Sequence, residues 1–133
     1  MNIVFDTESI KKIAFFQKMT GAHVVDFIEN DEIYIVIKEG ESGLAIGRGG
    51  EKVRKAESAF KKSLRILEYS TDMEQFLRNV IPDIISIQKD EEGVIIRVRP
   101  SVKAKVVGRE GCKAKIIGQF LKRLFDIENF KIK

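Results

Sequence analysis

The sequence predicts an α+β fold in which a helix-strand-strand-helix-helix-strand unit, closing a three-stranded sheet, occurs twice in tandem. Three observations carry this. The chain repeats itself at a shift of 61 positions, a Gly-X-X-Gly loop stands at the same place in each copy, and helical and strand periodicities follow the same order in both halves.

At that shift Gly47-Arg48-Gly49-Gly50 falls on Gly108-Arg109-Glu110-Gly111, and Ala45-Ile46 on Val106-Val107. Ile33-Tyr34-Ile35-Val36-Ile37 falls on Val94-Ile95-Ile96-Arg97-Val98, Lys61-Lys62 on Lys122-Arg123 and Ile66 on Ile127. The alignment needs no gap. It divides the chain into domains 1–70 and 71–133. The link around Ser70 to Asp72 is so short that the halves are expected to form one rigid body, with both loops on one surface. Units of about 60 to 70 residues are marginal alone, which favours the same outcome.

Each element has a local reason. In the first copy a helix is predicted over Thr7 to Met19, capped by Asp6 or Thr7 and stopped by Gly21. Strands over Ala22 to Glu29 and Glu32 to Lys38 flank an Asn30-Asp31 turn. Ser42 to Ile46 is a short helix, and Glu51 to Leu64 a longer one with Val53, Ala56, Phe60 and Leu64 at helical spacing. Ile66 to Ser70 closes the sheet. In the second copy Asp72 to Val80 is a helix ended by Pro82. Strands run from Ile84 to Gln88 and Val94 to Arg99 around the Asp90-Glu91-Glu92-Gly93 turn. Helices over Pro100 to Val107 and Cys112 to Phe125 precede a last strand, Glu128 to Ile132.

Composition excludes several classes. With 44% hydrophobic residues the chain can pack a core. No apolar run approaches the roughly 18 residues that span a bilayer. Met1 to Asp6 lacks the basic and apolar regions of an export signal, which predicts a cytoplasmic protein without membrane partners. One cysteine, Cys112, allows neither an internal disulfide nor a thiolate-rich zinc site. The net charge of +4 is modest, but it is focused. Ile46 to Arg65 holds seven basic and two acidic residues, and Arg97 to Arg123 nine basic and one acidic, the distribution of a nucleic-acid footprint.

The glycine loops sit where that charge is densest. A sharp turn between helices needs backbone angles that residues with a Cβ resist, and missing side chains let a phosphodiester approach the main chain. The helix that follows points its free amides and positive dipole end at the loop. Arg48 adds a forked donor set suited to phosphate, and Lys52, Arg54 and Lys55 extend the basic surface. The second copy offers Arg109, Lys113 and Lys115, with Arg97 and Arg99 on the preceding strand. It also places Glu110 inside the loop, an exposed acid that costs on the order of 1 kcal/mol beside a phosphate. The first loop is therefore expected to contribute more affinity. Other phosphate motifs fail on spacing: no Gly-Lys-Ser/Thr completes a P-loop, and Lys52 stands where a dinucleotide fingerprint needs glycine.

Ile46-Gly47-Arg48-Gly49-Gly50-Glu51-Lys52-Val53 resembles the KH signature, an Ile-Gly-X-X-Gly-X-X-Ile/Val pattern, and the element order is similar to the prokaryotic, type II KH fold. The resemblance implies a loop that clamps about four nucleotides of single-stranded RNA. It also implies bases in a groove between the flanking helices and the adjoining strand, lined by Ile46 and Val53 in the first copy and Val107 in the second. Ala114 departs from the pattern where Ile or Val is usual. Two such units joined so closely resemble the KH pair of the NusA family, and the short form is similar to the archaeal NusA-like proteins of transcription termination and antitermination. These 133 residues include neither the polymerase-binding N-terminal domain nor the S1 domain of bacterial NusA, so the resemblance extends to RNA binding rather than to polymerase pausing.

The RNA-contacting set expected is thus Ile46, Gly47, Arg48, Gly49, Gly50, Lys52, Val53, Arg54, Lys55, Arg97, Arg99, Val107, Gly108, Arg109, Gly111, Lys113 and Lys115. No catalytic residue, metal or cofactor is expected. His23 and Cys112 read as structural or surface residues, Asp90, Glu91 and Glu92 as a solvated turn, and Phe15, Phe16 and Phe60 as core. The alternative function is a KH-fold adaptor for protein partners such as RNA polymerase or ribosomal components. An enzyme fits least, because no nucleophile-base pair or metal set is present.

Overall fold

A computed structural model of the chain describes residues 5–133. Met1 to Val4, part of the stretch read above for an export signal, lie outside them. The described residues divide into two compact units, 5–71 and 72–133.

In the first unit helix α1 (Thr7–Thr20) starts where the Asp6 carboxylate accepts the Ser9 amide at 2.7 Å. It stops at Gly21, whose left-handed φ of 80° turns its amide back onto the Gln17 carbonyl. Strands β1 (Val24–Glu29) and β2 (Ile33–Ile37) pair antiparallel, with a bulge between Val24 and Asp26. After the helix α2 (Ser42–Ile46), the glycine loop and the helix α3 (Glu51–Phe60), strand β3 (Leu64–Glu68) returns parallel to β2. The sheet order is β1-β2-β3. Alternate residues of β2, namely Ile33, Ile35 and Ile37, pack with Phe16, Phe27, Ala45, Ala56 and Leu64. Burying each Ile or Phe contributes about 1.5–3 kcal/mol.

The second unit has its own core of Met73, Leu77, Ile81, Ile84, Val94, Ile96, Val98, Ile117, Leu121 and Ile127. Helix α4 (Met73–Val80) is capped by Asp72, which accepts the Glu74 amide at 3.1 Å, and it ends before Pro82. Strands β4 (Ile84–Asp90) and β5 (Gly93–Val98) pair antiparallel with a bulge between Ile84 and Ser86. Helices α5 (Pro100–Val107) and α6 (Cys112–Phe125) flank the second loop, and strand β6 (Phe130–Ile132) joins β5 in parallel. The order is β4-β5-β6.

Three expectations are corrected. The helix predicted to Leu64 stops at Phe60, because Lys61 turns left-handed (φ 57°) with its amide on the Glu57 carbonyl, and the Glu57 carboxylate accepts the Leu64 amide at 2.9 Å. Leu64 fits helical spacing, yet it is the first inward residue of β3, paired with Ile33. The gap-free repeat also fails beyond the loop helices. α6 has 14 residues against 10 in α3, and its left-handed stop is Asp126 (φ 58°). The pairings Ile35 with Ile66 and Ile96 with Ile132 make Ile132, not Ile127, the counterpart of Ile66. Phe15, expected in the core, is 45% exposed and meets only the Phe60 ring edge-on at 5.6 Å among the aromatic contacts described.

Candidate nucleic-acid interface

The first loop joins α2 to α3 through a 3-10 turn, Arg48–Gly50, closed by the Gly50 amide on the Gly47 carbonyl at 3.2 Å. Gly47 lies at φ 76°, ψ 174°, a region that glycine alone enters freely. A Cβ there would stand 2.7 Å from Lys52 Cγ and 3.1 Å from the Lys52 nitrogen, so strain and lack of space both enforce glycine. Gly49 (φ 61°, ψ 20°) and Gly50 (φ 77°, ψ 16°) are left-handed.

The flanking charges separate into two groups. Arg48 and Lys55 are exposed and make no ion pair among the described residues. Arg54 instead donates to the Gly49 carbonyl at 2.6 Å, and Lys52 donates to the Thr20 carbonyl at the end of α1, at 3.2 Å. These two brace the loop and tie it to its own unit. Ile46 is 40% exposed, as a residue that meets a ligand should be, whereas Val53 is half-buried against the core. Leu44, 47% exposed on the same short helix, was missed by sequence reasoning; an apolar residue two positions before the signature isoleucine was the available signal.

The second loop repeats the backbone closely. Gly108 lies at φ 81°, ψ 172°, and its absent Cβ would meet Lys113 as Gly47's would meet Lys52. Gly111 is left-handed at φ 74°, ψ 15°. Glu110 occupies the remaining left-handed position at φ 55°, ψ 26°, so the residue that departs in charge also carries backbone strain. Arg109 and Lys115 are exposed, while Val107 and Lys113 are half-buried.

In the same unit a groove of about 460 Å³ runs between α6 and β6, lined by Ala114, Lys115, Gly118, Gln119, Lys122, Glu128, Phe130 and Ile132. Ala114 keeps it open where a larger residue would fill it. Phe130 and Ile132 were not legible as lining residues, because the repeat put Ile127 where Ile132 pairs, and Gln119 was missed because the sequence does not show which face of α6 meets β6. Arg97 is not brought to the loop. Val94, Ile96 and Val98 point into the core with Ile117 and Leu121 of α6, so exposed Arg97 lies on the sheet's other face. Arg99, also exposed, immediately precedes α5.

Glu41 accepts the His23 amide at 2.7 Å and lies 3.0 Å from His23 Nδ1; the backbone bond first, then the ring, holds its carboxyl below the ordinary glutamate range. Among the described residues no three His, Cys, Asp or Glu side chains gather as a metal site. No helix among them is long and apolar enough to cross a membrane.

Comparison with known proteins agrees with this geometry. The family model of the KH domain matches residues 10–81. A protein of Methanococcus vannielii named "Probable transcription termination protein NusA" is 37% identical, over 99% of this chain and 80% of its own length. Its namesake in Methanocaldococcus jannaschii is 36% identical, over 95% of this chain and 73% of its own length. The crystal structure of APE1850 superposes with a TM-score of 0.76 at 30% identity, covering 97% of this chain and 100% of that one. The loop geometry, the match to the KH domain and the extent of these alignments lead to one conclusion: this chain belongs to the NusA family of KH-domain proteins.

Proposed function

We propose that the chain binds single-stranded RNA through two tandem type II KH units, 1–70 and 71–133, and acts in transcription termination or antitermination. One observation carries the reading. Both loops hold positive φ at the same three of their four positions, the first, third and fourth, although the second has a glutamate at the third. Such a set of backbone angles has little use in a plain helical corner, and it opens each time onto the amino end of a helix of ten residues or more. The loop amides and Arg48 or Arg109 would hold the phosphates. Ile46 and Leu44 in the first unit, and the α6–β6 groove in the second, would receive bases.

The test replaces Arg48 and Gly49 together by Asp, with circular dichroism to confirm the fold. RNA affinity is expected to fall at least tenfold, and unchanged affinity in the folded variant would sink the proposal. Affinity should also weaken with added salt. A second reading, an adaptor for protein partners, is favoured by Glu110 alone. Partners recovered from lysate after nuclease treatment would support it, and partners lost with the RNA would not.

A further inference from the structure

The outer face of the second sheet carries exposed cations away from the glycine loop. β6 is an edge strand of three residues with alternating side chains. Phe130 and Ile132 line the groove against α6, so exposed Lys131 points to the opposite face. Lys131 pairs with Ile95, which pairs in turn with Gln88. Lys133 donates to the Ile96 carbonyl and accepts the Val98 amide, which seats it directly beside Arg97. Arg97, Lys131 and Lys133 are all exposed on this face, and none makes an ion pair among the described residues.

The fold does not require charge there. In the first unit the equivalent pair is Val36 and Leu67, both buried. In the second unit two cations stand directly opposite each other across paired strands, an arrangement that is unfavourable unless an anion lies between them. The one carboxylate on β4, Asp90, has its Oδ1 committed to the amides of Glu92 and Gly93.

We infer that this face is a second phosphate-contacting track, taking the RNA strand as it leaves the α6–β6 groove and passes over the β6 edge. The inference rests on the RNA-binding reading, and it commits to nucleic acid on charge complementarity. β6 is an edge strand with no further strand beyond it, so a chain passing over it can meet both faces of the sheet.

The experiment compares the wild type with the triple variant Arg97→Gln, Lys131→Gln, Lys133→Gln. The probes are an RNA of about four nucleotides, enough for one loop, and one roughly three times longer. For the long RNA the variant should bind several-fold more weakly, and the slope of log affinity against log salt should shrink by about 2, at about 0.7 for each charge removed. The short RNA should bind as before. The single variant Arg97→Gln should shrink the slope by about 0.7. Unchanged affinity and slope for the long RNA would overturn the inference, as would a face that serves an acidic protein instead. Gly49→Asp and Gly108→Asp separate the two levels. If these loop variants weaken RNA binding while the triple variant does not, only the second track falls. If none affects it, the RNA-binding reading falls as well.

Discussion

Arg54 Nη1 donates to the carbonyl oxygen of Gly49 across 2.6 Å, so the largest side chain following the first loop is directed at the protein's own backbone. A guanidinium in this position fixes the peptide between two left-handed glycines, and its effect on RNA passes through the loop's shape. Arg54→Ala should therefore lower RNA affinity several-fold at every salt concentration and leave the salt slope unchanged. Arg48→Ala should reduce that slope by about 0.7. A salt series by fluorescence anisotropy distinguishes the two, and a reduced slope in Arg54→Ala would make it a direct phosphate contact.

Glu110 holds a left-handed conformation that costs a residue with a Cβ about 1–2 kcal/mol, and it puts an exposed carboxylate in the loop proposed to hold phosphate. Glu110→Gly removes both penalties, offset in part by the larger entropy glycine loses on folding. Affinity at the second loop should rise by about fivefold, corresponding to about 1 kcal/mol, with stability unchanged or slightly higher. Titration in a Gly49→Asp background isolates the second loop.

Gly118 sits inside α6 with a free approach: an added Cβ would come no nearer than 3.9 Å to the Phe130 ring. Close packing does not demand glycine here. Gly118→Ala should stabilise the helix by up to about 1 kcal/mol and narrow the groove, so thermal stability should rise while affinity for RNA falls. A variant that gains stability with affinity intact would remove the groove from the binding surface.

Glu29 lies between Lys12 at 2.6 Å and Lys62 at 2.8 Å. Burial pushes its carboxyl up, but the two ammonium groups together outweigh that and hold it below its ordinary 4.5. A depressed carboxyl stabilises the fold above the unfolded-state value and loses that contribution as pH falls through the folded-state value. Glu29→Gln should therefore cost about 1 kcal/mol at pH 7. The difference from wild type should shrink below about pH 4.5 and vanish in stronger acid. Urea melts at several pH values measure it, and a constant difference would contradict the pairing.

Legibility followed the range of the interactions involved. Helix starts at Asp6 and Asp72, the stop at Gly21 and the two glycine loops were readable, because each is set within a few residues by caps and backbone angles. The end of α3 and the start of β6 were not. Leu64 satisfies both a helical face and an inward strand position, and only its pairing with Ile33 decides between them. The misplaced Ile127 has the same cause: α6 was read at its full length, and carrying α3 on to Leu64 made the two helices equal and the repeat gap-free. At the candidate site the sequence supplied residue types but not directions: it did not show that Arg54 and Lys52 each donate to a backbone carbonyl of their own unit, or that Arg97 lies across the sheet from its loop.

The contact that forbids a Cβ at Gly47 is with Lys52, and the same contact recurs between Gly108 and Lys113. The middle position has no such neighbour, since nothing lies within 4 Å of where a Cβ at Gly49 would stand. The four-residue motif is thus unevenly open to drift. Its third position holds glycine in one copy and glutamate in the other, while its first is closed to any residue with a Cβ, because the atoms in the way include the Cβ and backbone nitrogen of the residue five positions on. A copy that stopped gripping its ligand would lose its charge pattern long before its opening glycine, so that glycine alone is a record of ancestry rather than of present use.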